Sequence, residues 1–170
     1  PENIRWGLYG RPPMGEEGPE DWQQKVWDEY TRILVGAQRH KNWQVFQAMP
    51  SDRYGAMYAS IDVAIAPLEW NNFNDSKSEI KLMEAGRYGI PLIATDCGAY
   101  DEIIENGVTG YLIPKDNKIS DWNKAISKCV KDPKHAREMG RKLKSIVDER
   151  FDINKVVHYR LDLYKQLLNK

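Results

Sequence analysis

Apolar residues in this chain cluster in short unbroken runs, and between the runs they recur at helical spacing. The runs are "IRWGLYG" (Ile4 to Gly10), "WQVFQAMP" (Trp43 to Pro50), "IDVAIAPL" (Ile61 to Leu68), "IPLIATD" (Ile90 to Asp96) and "TGYLIP" (Thr109 to Pro114). Each has strand length and is bounded by turn residues, which predicts a strand. From Glu20 to about Arg39, the positions Trp22, Val26, Tyr30, Ile33, Leu34 and Ala37 follow a helical period. Ser51 can cap a short helix through Ala59. Three helical segments close the chain. The first carries Trp122, Ile126 and Cys129, the second Ala136, Met139, Leu143 and Ile146, and the third Val157, Leu161, Tyr164 and Leu168. Strands that are apolar throughout, alternating with helices, predict an α/β fold. The expected architecture is a Rossmann-like parallel sheet with helices on both faces, followed by C-terminal helices. Ligands of such sheets bind at the carboxyl ends of the strands. That selects the loops Gly10 to Gly18, Gln47 to Ser51, Leu68 to Ser78 and Asp96 to Tyr100.

Two of those loops flank the stretch "NDSKSEIKLMEAGRYGIPLIATDCG", Asn74 to Gly98. "SKSE" has the form of a capping box, with Ser76 as the cap, Glu79 reaching back and Ser78 as a competing cap. A helix starting there would aim its free N–H groups at the ligand edge, an anion site suited to a phosphate. At 100° per residue, Ile80, Leu82 and Met83 spread over the packed sides, while Lys77, Lys81, Glu84 and Tyr88 share one stripe. Lys77 would stand beside the phosphate. Glu84, roughly 10 Å further along the axis, could accept hydrogen bonds from a vicinal diol such as a ribose. The stripe also has a plainer reading, because Lys81 and Glu84 form an i, i+3 pair of the kind found on solvated faces, contributing about 0.2–0.5 kcal/mol. Downstream, Gly98 permits a tight turn. Glu102 begins a short helix, and Asn106-Gly107 is the tight element of a turn.

Charge and composition narrow the function. The 25 basic and 25 acidic residues give a formal net charge of zero, so there is no electrostatic case for a nucleic-acid partner or an anionic membrane. Cys97 and Cys129 lie far apart with no CxxC, so neither a metal site nor a redox pair is expected, and free thiols suit a cytoplasmic setting. His40, His135 and His158 fall away from the ligand edge and are expected at the surface. No apolar run approaches the ~20 residues of a membrane-spanning helix. The chain opens on Pro1 rather than Met, so a domain of a longer protein is expected.

The run "IDVAIAPL…SKSEIKLMEAGRYGIPLIATDCGAYDEIIENGVTGYLIP" resembles the nucleotide-sugar-binding half of the GT-B fold glycosyltransferases. More narrowly, it is similar to the mostly retaining hexosyltransferases of group 1, which include lipopolysaccharide and capsule enzymes. The family's segment "G-x-P-V-I-A-T-x-x-G-G-x-x-E" is matched by "GIPLIATDCGAYDE", and its "G-x-x-G-x-L" turn by "NGVTGYLIP". The resemblance spans roughly Ile4 to Leu168 and is sharpest from Ile61 to Pro114. By this resemblance, Glu84 matches the second of two glutamates and bonds the ribose hydroxyls. The first glutamate would fall at Ser76, where its loss bears on the sugar accepted. Lys77-Ser78 fits a branch of the family in which the lysine meets the diphosphate or sugar and backbone N–H groups near the serine hold the phosphate. Met49 matches a position lining the nucleobase. "IRWGLYG" fits the family's second strand better than its first, so either the opening strand and helix are expected outside this chain or the match of strands is displaced by one unit; the acceptor-binding N-terminal half is expected outside it too.

The resemblance implies a glycosyltransferase donor domain for residues 1–170, part of a larger two-domain enzyme of polysaccharide biosynthesis. Its donor would be a nucleotide-diphosphate sugar such as UDP- or GDP-hexose, used without a further cofactor. The acceptor would be a glycan or lipid-linked molecule bound mainly by the N-terminal domain. The setting would be cytoplasmic, or peripheral at the inner face of the membrane. The helix N-terminus and Lys77 would stabilise the leaving diphosphate, and Glu84 would set register. No catalytic side chain is assigned. Two rivals keep the fold but not the chemistry. One is a sugar-nucleotide epimerase, which needs acid and base carboxylates in its cleft. The other is a non-catalytic module derived from a transferase, anchored to a partner through exposed Trp6, Trp22 or Trp70.

Overall fold

The computed structural model describes residues 4–11, 25–26, 28–29, 32–33, 42–47, 49–50 and 52–169. The chain forms two compact units, Pro1–Met57 and Tyr58–Lys170. In the first, β1 (Trp6–Arg11) pairs in parallel with β2 (Trp43–Gln47), with a register shift between Tyr9 and Arg11. Trp6 faces Trp43 across the pair, and their rings stack with centroids 5.5 Å apart. That stacking gives Trp6 an internal partner. Trp22 lies outside the described residues. The described residues of the Glu20 to Arg39 stretch (25, 26, 28, 29, 32 and 33) are helical, and the remainder of that stretch lies outside the description. Ser51 does too, and the helix expected through Ala59 is a 3₁₀ helix, Tyr54–Ser60.

The second unit is built on β3 (Ala64–Ala66), β4 (Leu92–Thr95) and β5 (Gly110–Ile113), parallel and in the order β3-β4-β5. β4 is buried at all four positions. Since successive side chains of a strand point to opposite faces, both faces are covered. A cluster of Ile93, Tyr111, Ile113, Ala125, Cys129, Ala136 and Met139 fills the core. Its helical members come from α3 (Ile119–Lys131) and α4 (Pro133–Arg150). α4 starts cleanly because Pro133 occupies its first turn and the Asp132 carboxylate accepts the His135 N–H at 3.0 Å. α5 (Ile153–Leu168) is capped in the same way by Asp152.

The α/β class and the parallel pairing match the reading of the runs. The described strands form a parallel pair in the first unit and a three-stranded parallel sheet in the second. β3 is shorter than its run, keeping three residues of Ile61 to Leu68.

Candidate functional site

The carboxyl ends of β3, β4 and β5 carry the loops 67–79, 96–100 and 114–118. A polar network ties the three ends together. Thr95 Oγ1, fully buried, accepts the Leu68 N–H at 3.0 Å and donates to Asn117 Oδ1 at 2.9 Å. Asn117 Nδ2 donates to the Leu68 carbonyl at 2.7 Å, and Trp122 Nε1 donates to Asn117 Oδ1 at 3.2 Å. Asn117 holds this position at φ 51, in the left-handed region that asparagine tolerates better than most residues. The loop leaving β3 is therefore pinned at its root.

Further along that loop the chain departs from the expected capping box. Asn71 Oδ1 accepts the Asn74 N–H at 2.8 Å and starts a one-turn helix, α1 (Asn72–Asp75). Ser76 then sits at the end of that turn, and its hydroxyl donates back to the Asn72 carbonyl at 2.8 Å. The next helix, α2, runs Ile80–Arg87 with Glu79 at its N-cap and no side-chain capping bond. The asparagine upstream captured the chain first, so Ser76 closes one helix instead of opening the next. Lys77 and Ser78 lie exposed in the link between α1 and α2. The Lys77 ammonium rests over the Phe73 ring, 4.5 Å from its centroid. The Lys115 ammonium sits similarly over exposed Trp70 at 5.2 Å.

The loop after β4 is drawn against this link. Asp75 Oδ1 accepts the Gly98 N–H at 3.2 Å. Gly98 has φ +65, and a Cβ there would stand 2.8 Å from the Lys77 carbonyl oxygen, so the approach requires glycine. Gly98 opens a 3₁₀ helix, Gly98–Tyr100. Glu102 lies in the turn after it rather than at a helix start.

Glu84 lies on the second turn of α2, about 6 Å beyond its first residue. Its side chain is 26% exposed. Lys81 Nζ donates to Oε2 at 3.0 Å, which is the i, i+3 pair foreseen in the sequence. The Tyr58 hydroxyl donates to the same oxygen at 2.9 Å. Tyr58 is buried, and its ring stacks on Tyr88 with centroids 5.8 Å apart. Both donors meet Oε2, and among the described residues none meets Oε1. Lys81, Glu84 and Tyr88 do come together, whereas Lys77 belongs to the preceding link. Met49 belongs to the first unit, where it is half-buried shortly after β2.

Among the described residues no histidine lies at this edge. Burial raises the Tyr100 phenol above its ordinary range, with Lys81 opposing, so it stays protonated. Burial also pushes the Cys129 thiol up to about 11. Both cysteines are buried and free. Among the described residues no His/Cys/Asp/Glu group could hold a metal ion, and no helix is long and apolar enough to cross a membrane. His135 and His158 are exposed on α4 and α5, and His40 lies outside the described residues. Sequence reasoning missed Tyr58, Thr95 and Asn117. Thr95 left a signal, a polar residue closing an otherwise apolar strand. Tyr58 left none.

Comparison with known proteins agrees with this architecture. Sucrose-phosphate synthase from Thermosynechococcus elongatus superposes with a TM-score of 0.74 at 17% identity, covering 99% of this chain and 47% of that one. HepE from Anabaena, solved in complex with UDP, gives a TM-score of 0.65 at 21% identity, covering 100% of this chain and 42% of that one. In sequence, the chain is 29% identical over 117 residues to N-acetyl-alpha-D-glucosaminyl L-malate synthase of Bacillus anthracis, covering 69% of this chain and 29% of that protein. It is 25% identical over 116 residues to D-inositol 3-phosphate glycosyltransferase of Gordonia bronchialis, covering 68% of this chain and 24% of that protein. The chain thus spans less than a third of the length of these curated relatives. The family model for glycosyl transferases group 1 matches residues 35–145. That is well over half of the sequence and takes in β3, β4, β5 and the Glu84 helix, so the chain belongs to the group 1 glycosyl transferases.

Proposed function

We propose that this chain is the donor-binding part of a glycosyltransferase. It holds a nucleoside-diphosphate hexose, such as UDP- or GDP-hexose, whose sugar passes to a glycan or lipid-linked acceptor held mainly by an N-terminal domain. The observation that carries this reading is Glu84: a half-buried carboxylate on the helix after β3, anchored through Oε2 and offering Oε1. An acceptor so placed suits the two hydroxyls of a ribose. Lys77 and the backbone N–H groups around Ser78 and the start of α2 would meet the diphosphate as charge develops on it. Ser76, at the end of α1, would border the sugar. No cofactor is invoked. The free, buried cysteines fit a reducing cytoplasm. The crystallised complex of HepE with UDP supports the donor class. No observation favours the epimerase alternative.

The test is calorimetric titration with UDP, GDP and ADP, run beside Glu84→Ala. One nucleotide should bind, and the variant should lose roughly tenfold or more of that affinity while keeping its fold by circular dichroism. Absence of binding to all three, in the full-length protein as well as in this chain, would make the chain a module without donor chemistry. Unchanged affinity in the variant would remove Glu84 from the ribose.

A further inference from the structure

The geometry points to Tyr58 as a positioning residue of the donor site, fixing which oxygen of Glu84 faces the ligand. This rests on the donor reading above. A carboxylate on a helix surface can rotate about its last torsion and present either oxygen. Among the described residues Glu84 has two donors, and both meet Oε2. They differ in what they can hold still. Lys81 is half exposed, its side chain at 49%, on a flexible four-carbon stem three residues from Glu84. Tyr58 is 3% exposed and comes from the 3₁₀ helix Tyr54–Ser60, twenty-six residues away in sequence. Its ring is clamped by the stack on Tyr88, which extends the same helix face one turn beyond Glu84. The phenol therefore pins Oε2 in a fixed direction, and Oε1 is held toward whatever binds at the edge. Lys81 adds charge to that oxygen, and Tyr58 adds orientation. A bond from a hydroxyl to a carboxylate is among the stronger kinds, so its loss should free the carboxylate that it orients.

A positioning role predicts a change in discrimination, not a uniform loss. The test uses Tyr58→Phe, which keeps the ring, its burial and the Tyr88 stack. Affinities are measured for the nucleoside diphosphate that the chain binds and for its 2′,3′-dideoxy analogue, in the wild type, Tyr58→Phe, Glu84→Gln and the double variant. The wild type should prefer the ribose form by roughly tenfold or more, and Tyr58→Phe should narrow that ratio by about three- to tenfold. Glu84→Gln should narrow it at least as far, and adding Tyr58→Phe to that background should change it no further, as coupled partners require. Should the Phe variant fold poorly, Tyr88→Leu leaves the hydroxyl but frees the ring, and a partial narrowing is expected. A Tyr58→Phe protein that keeps the wild-type ratio overturns the inference and leaves the donor reading standing, as does an equal loss for both ligands. A wild type that binds none of the nucleotides, as this chain and as the full-length protein, overturns the donor reading, and this inference with it.

Discussion

Helices α4 and α5 carry similar apolar repeats and meet opposite fates. In α4, Ala136, Met139, Gly140, Leu143 and Val147 are buried; in α5 no residue is. Leu143 is 0% exposed and Leu168 is 85%. Amphipathicity belongs to a helix, but burial belongs to its partner. α4 has a partner because two backbones can touch. A Cβ on Gly140 would stand 1.9 Å from the Gly89 carbonyl oxygen, just past α2. The polar edge of the same contact is closed by Arg87 and Lys144, which bond Asp148 at 2.6 and 2.9 Å, while Lys144 also donates to the Arg87 carbonyl. Since α2 carries Glu84, α4 supports the candidate site from behind. The apolar stripe of α5 (Val157, Leu161, Tyr164 and Leu168) is exposed among the described residues.

Substitutions along the two helices should separate them. Leu143→Ala leaves a cavity against α2 and should cost about 2–5 kcal/mol in urea unfolding. A loss no larger than that of a matched α5 change would erase the distinction. Gly140→Ala forces a methyl against backbone that cannot swing aside, and should cost about 1–3 kcal/mol, with weakened nucleotide binding if α2 shifts. An unchanged melting temperature would mean that the crossing is loose. Asp148 refines the picture through pH. Hydrogen bonds from Lys144 and Arg87 hold its carboxyl below the ordinary 3.8. A depressed folded-state value means that its contribution is complete above that value and is lost as pH falls through the lower, folded one. Asp148→Asn should therefore lower the melting temperature at neutral pH, with the gap to wild type closing in acid. A gap that stays constant with pH would take the charge out of the contact. Smallest of all, Leu161→Gln and Leu168→Gln on α5 should change stability by no more than about 0.5 kcal/mol, read by the same unfolding curves.

The strands and the site helix were legible because their signals are local. β4 and β5 follow apolar runs that fit a sheet covered on both faces, and Glu84 stood out as a carboxylate on the helix that follows β3. Where the reading failed, one local signal had outcompeted another. Ser76 and Glu79 spell a capping box, yet Asn71, five residues upstream of Ser76, capped a turn first and left Ser76 at its end. In the second closing helix the expected inward position Ile146 is only half-buried, and Val147 takes the core place beside it. A repeat fixes the face of a helix only to within a residue, and the neighbouring surface chooses among them.

The amino-acid sequence by itself determined the α/β class, the parallel runs and the helix that bears Glu84, because propensity and periodicity act over a few residues. Lys81, three residues from Glu84, was visible as its partner for that reason. Only the tertiary structure decided that Tyr58, twenty-six residues away, would share the same carboxylate oxygen. It likewise decided that Asn117 would clasp Leu68 and Thr95 across three strand ends, and that α4 rather than α5 would find a surface. Contacts of that kind depend on which backbones can approach, and a repeat of apolar positions carries no record of the partner.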